Sequence, residues 1–170
     1  MIMKHLILLA LALLVGCAGP RLGTTYEIQL DPSLSTSQVE AIMLAGDDWK
    51  ANAPEFTFTY TMTSCRDFSS NLLQTICFRS SDETPSEGGF DVDGHTNFSS
   101  NDDRADVMLY PRNMAKRPFQ NKELYVVAHE FGHALAHRGD HLQKGNLMAP
   151  EIAAQESITT QDVTYVRSTR

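Results

Sequence analysis

Residues 129–141 read HEFGHALAHRGDH, and their types and spacing could do zinc chemistry. His129 and His133 are four positions apart, which on a helix is about 6 Å of rise. Both imidazoles then leave the same face and can share one metal ion. Glu130 is offset from that face, beside the ion and not on it. A carboxylate placed there can take a proton from water that zinc activates, while the ion polarises the carbonyl under attack. A catalytic zinc takes three protein ligands, and the third must come from outside the pair. His137, Asp140 and His141 are the candidates.

The elements that must position these side chains follow from periodicity. Asn121 is a cap residue, and Leu124, Val127, Ala128, Phe131 and Leu135 recur at helical spacing behind the histidines. Gly132 leaves room beside the cleft. Upstream, TTYEIQL (Thr24–Leu30) and FTFTYTM (Phe56–Met62) have the β-branched and aromatic content of strands. Between them Ser37 with Glu40 matches a capping box, opening an amphipathic helix that turns Trp49 inward and stops at Pro54. Residues 75–79 form a short strand, and residues 105–110 (ADVMLY) a buried one closed by Pro111. Thr159 with Asp162 opens a final short helix through Val163 and Val166. Residues 80–104 are nearly all Ser, Asp, Glu, Gly and Asn, and read as a solvated surface excursion. Asp91, Asp93 and Asp102 beside Gly94 lack the ligand spacing of a calcium loop, so calcium is possible but unsupported.

HEFGHALA resembles the opening of the matrixin branch of the metzincin metallopeptidases. That family's long motif is HExxHxxGxxH, followed by a methionine turn. NLMAP, with Met148, is similar to that turn, and the elements above follow the family's order. The resemblance implies an α+β catalytic domain over residues 24–170: a small twisted mixed sheet, an active-site helix and two further helices. It implies one catalytic zinc ion, a peptide or protein substrate, and Glu130 as general base.

The family's helix-breaking glycine falls here on Ala136, and its third histidine on Gly139. Gly139 offers the left-handed conformation that ends helices. The helix is therefore expected to run about one extra turn before reversing. His137 would stand about 12 Å from His129 along a straight axis, which disfavours it. His141 is preferred because Met148 follows it at nearly the family's interval; Asp140 and His137 remain alternatives. No latency cysteine precedes the first strand. The segment between Tyr110 and Asn121 is too short for the family's extra ion-binding loop together with a long edge strand, which leaves the peptide-binding edge unassigned.

The chain-wide features set the context. A formal charge of −7 over 170 residues gives no basic surface for phosphates, so nucleic acid is not an expected partner. At the N-terminus, Lys4 precedes an apolar run over residues 6–15, too short to span a bilayer, which reads as a secretory signal. It ends in Leu14, Val15, Gly16 and Cys17, which resembles the lipobox of bacterial lipoproteins. That implies a signal peptide over residues 1–16, lipidation of Cys17 and a tether over residues 17–23. The expected place is the envelope of a bacterium, at the outer membrane because Ala18 follows the cysteine. In an oxidising compartment Cys65 and Cys77 are expected to pair as a disulfide. The expected function is that of an envelope-anchored zinc metalloendopeptidase. The alternatives are a turnover-deficient binding module of the same fold and a zinc hydrolase of peptidoglycan peptides.

Overall fold

Four strands of one sheet run parallel, and the fifth, beside the histidine helix, runs against them. In this computed structural model the described residues are 24–65, 74–99, 104–118, 120–143, 146–149 and 157–168. The expected signal peptide, Cys17, the tether and Asp102 lie outside them. The elements are β1 (Thr24–Leu30), α1 (Thr36–Asn52), β2 (Phe56–Met62), β3 (Gln74–Ser80), β4 (Ser86–Glu87), β5 (Phe90–Asp91), β6 (Gly94–Phe98), β7 (Arg104–Leu109), α2 (Pro111–Met114), α3 (Lys122–Ala136) and α4 (Thr160–Arg167). The sheet order is β2-β1-β3-β7-β6, with β6 antiparallel to β7. This is the expected α+β class with a mixed sheet, and among the described residues no helix is long and apolar enough to cross a membrane.

Strand β3 lies in the middle of the sheet, and its Thr75, Ile76, Cys77 and Phe78 are all buried. Side chains pointing to either face of a central parallel strand are covered, so such strands read as near-continuous apolar runs. Helices α1 and α3 share a core with the sheet in which Trp49, Tyr26, Phe56, Phe78 and Phe131 are fully buried. Phe131 meets Phe58 edge-on at 5.0 Å and Phe78 at 5.4 Å between ring centroids.

Helix α1 begins two residues earlier than expected. Ser35, not Ser37, caps it, and the reciprocal partner is Gln38: Ser35 N–H donates to Gln38 Oε1 at 2.8 Å, and Gln38 N–H to Ser35 Oγ at 3.2 Å. The amide of the buried Gln38 also donates to Ser80 Oγ at 3.1 Å, a tertiary bond that selects this register. Cys65 and Cys77 are joined by a disulfide, and Cys77 belongs to a central strand longer than residues 75–79.

Residues 80–99 lie at the surface as their composition suggests, but they are not an irregular excursion. They hold the β4–β5 hairpin and the edge strand β6. Asn113 of α2, fully buried, donates its amide to Pro85 O at 2.9 Å and Val92 O at 2.8 Å. Lys116 pairs with Asp91 at 3.0 Å and Arg117 with Asp93 at 2.5 Å. The positive charge facing these two carboxylates thus comes from the chain itself.

Candidate metal and catalytic site

Helix α3 is buried from Val126 through Ala136, which brings both motif histidines into the protein at 4% and 5% exposure. Its start and end depart from expectation. Asn121 stands in the left-handed region (φ 54°) and makes no side-chain cap; its carbonyl accepts from Tyr125 N–H at 3.2 Å. At the other end the helix does not continue to Gly139. It stops at Ala136, and His137 takes the left-handed conformation (φ 51°, ψ 40°), its N–H closing on His133 O. Gly139 has no positive φ, and a Cβ there would meet nothing within 4 Å. The reversal therefore falls one residue after the position of the family's glycine, on a non-glycine residue, a conformation that costs roughly 1–2 kcal/mol. The His137 ring lies 5.8 Å from that of Phe98 on β6.

This early reversal brings the chain back to the motif. His129, His133 and His141 each offer a ring nitrogen, and these atoms lie within 4.8 Å of one another, a group that could hold a metal ion. His129 Nδ1 is 2.7 Å from Leu147 O and His133 Nδ1 is 2.8 Å from Arg138 O. A carbonyl can only accept, so each Nδ1 carries the proton and each Nε2 presents a lone pair. Those two Nε2 atoms are 3.0 Å apart. Burial and the neighbouring His129 and His141 push the His133 pKa down to about 3; burial also lowers His129 and His141. Neutral rings with facing lone pairs repel unless an electrophile lies between them. The donor set fits a bound cation.

Glu130 is the second component. It is buried at 6% exposure, and desolvation pushes its carboxyl up to about 7 against the lowering pull of a bond from Thr96. Thr96 Oγ1 donates to Glu130 Oε2 at 2.6 Å and lies 3.2 Å from the Glu130 carbonyl oxygen. Gly94, at the start of the same strand, leaves the space: a Cβ there would stand 2.7 Å from Glu130 Cγ and 3.0 Å from Oε1. Both residues fall in the stretch whose polar composition concealed a strand. The alternation of GHTNF was its only signal, with His95 and Asn97 exposed and Gly94, Thr96 and Phe98 half-buried.

The residues around Met148 support the histidines from behind. Met148 is fully buried, and Gly132 gives way to it and to Trp49, whose ring carbon would be 2.8 Å from a Cβ at that glycine. Gly132 thus opens space toward the core and not the cleft. Trp49 Nε1 donates to Ala128 O at 2.9 Å, tying α1 to the histidine helix. The Asp162 carboxylate, fully buried, accepts from Leu147 N–H at 3.2 Å, Met148 N–H at 3.0 Å and Thr159 N–H at 2.8 Å. The Leu147 carbonyl, in turn, receives His129 Nδ1. Thr159 and Asp162 form the expected capping box, and Asp162 also holds the methionine loop.

No protein-family model matches the chain, and no curated protein matches it either. Among solved structures it is similar to the crystal structure of archaemetzincin (amzA) from Methanopyrus kandleri. The TM-score is 0.59 at 10% identity, covering 88% of this chain and 97% of that one. A likeness at that identity is one of fold: this chain shares the α+β arrangement of that structure.

Proposed function

We propose that the protein is a zinc metalloendopeptidase, with His129, His133 and His141 as ligands and Glu130 as general base. The observation that carries this reading is the convergence of three imidazole nitrogens within 4.8 Å beside a buried glutamate. Three neutral imidazoles are a donor set that zinc takes in hydrolases, and two of them on one tetrahedral ion stand about 3.3 Å apart. The 3.0 Å separation of the Nε2 atoms is close to that.

Zinc, when bound, supplies a Lewis acid that activates water and polarises the scissile carbonyl. The protein does the rest. Thr96 occupies Glu130 Oε2, leaving Oε1, against Gly94, to take the proton from the attacking water and pass it to the departing amine. Among the described residues strand β6 ends the sheet, so its outer edge can pair with an extended peptide and bring it alongside Glu130. The matrixin-like motif with Met148 supports the peptidase assignment. The lipobox-like run ending at Cys17 supports export and attachment to the bacterial outer membrane. Glu130→Gln should retain one zinc per chain while losing cleavage of casein; a variant that still cleaves removes Glu130 from the chemistry.

A further inference from the structure

Tyr165, on the last helix α4, is 4% exposed and lies outside the histidine motif. Its hydroxyl donates to Asp140 O at 2.6 Å, and stands 3.3 Å from Arg138 O and 3.4 Å from His133 Nδ1. The Asp140 carbonyl belongs to the peptide that joins Asp140 to His141. A peptide is planar, so fixing its oxygen fixes the plane that contains the His141 nitrogen and Cα. On the other side of His141, Leu142 N–H donates to Met148 O at 2.8 Å. Both peptides flanking His141 are therefore held from outside the segment.

The segment itself provides little of this. Its helical bonds end at His133, a Cβ on Gly139 would meet nothing within 4 Å, and Arg138 pairs with Asp140 two residues away. The Arg138 guanidinium lies over the Tyr165 ring at 4.8 Å, so the phenol supports the loop through its face as well as its hydroxyl. We propose that Tyr165 is the positioning residue of the third ligand: its hydroxyl holds the Asp140–His141 peptide so that the His141 ring reaches the ion shared by His129 and His133. The inference rests on the zinc reading above.

The test uses the full chain and zinc itself. Tyr165→Phe keeps the ring under Arg138 and deletes only the hydroxyl. Zinc affinity, measured by competition with a chromophoric chelator, should fall about 10- to 100-fold. In a His141→Ala background the same substitution should cost nothing further, because the residue acts through His141. The visible spectrum of the cobalt-substituted Tyr165→Phe protein should shift toward that of His141→Ala. Unchanged zinc affinity in Tyr165→Phe overturns the proposal, and so does an equal loss in both backgrounds. A wild-type chain that binds no stoichiometric zinc sinks the metal reading instead, which separates the two failures.

Discussion

Thr96 and His137 both have roles that the motif does not announce. Thr96 holds one oxygen of the buried Glu130 at 2.6 Å. A hydrogen bond to a charged group contributes about 1.5–3 kcal/mol, which corresponds to roughly 10- to 100-fold in rate if the bond orients the base. Thr96→Val should therefore lower kcat by that factor and leave KM and zinc content unchanged; steady-state kinetics beside metal analysis would show otherwise if the clamp were idle. His137 reverses the chain in a left-handed conformation, whereas Gly139 does not. His137→Gly should exceed His137→Ala in stability by about 1 kcal/mol in urea unfolding, with zinc retained by both. Gly139→Ala, entering open space at ordinary φ, should be close to neutral.

At the level of elements, legibility followed how local the information is. Strand β1, strand β2 and the final helix each carry their period within their own residues, and so does the histidine helix except at its two ends. Strand β6 does not: GHTNF is short, half-exposed and set in polar sequence, and pairing with β7 makes it a strand. The same holds for side chains reaching the site from afar, since Thr96 meets Glu130 across 34 positions and Tyr165 meets Asp140 across 25. A spacing of that kind has no periodicity to detect. The helix ends before Gly139, although glycine is the usual left-handed residue, because His137 takes that conformation instead. One inter-element contact has a pH signature. Arg167 of α4 donates to Glu55, ahead of β2, at 2.5 Å and holds that carboxyl below its usual 4.5. A carboxyl lowered in the folded state stabilises the fold above its unfolded pKa, and that contribution disappears as pH falls. Arg167→Met should thus cost about 1 kcal/mol at neutral pH and progressively less below pH 4.5, read from thermal melts of both proteins across pH.

Across the whole molecule, the candidate site draws on β6, α3, the Met148 loop and α4, while the sheet and α1 form the wall behind it. An ion bound by residues from separate elements binds the folded state and not the unfolded chain. Free zinc at a hundredfold its dissociation constant then stabilises by about 2.7 kcal/mol, several degrees in melting temperature for a chain of this size. Calorimetry with zinc and with a chelator should show that gap in the wild type and in Glu130→Gln, and His133→Ala should abolish it. The same arrangement bears on timing. The Leu147–Met148 peptide has its N–H held by Asp162 of α4 and its carbonyl held by His129 of α3. The support behind the His129 ring is therefore complete only when the last helix is docked. A chain still emerging during synthesis, with residues beyond 158 not yet released, carries the complete HEFGH motif but lacks these supports. Under the proposed reading, competence for hydrolysis would come late in the life of the polypeptide, once residues 159–168 have been released.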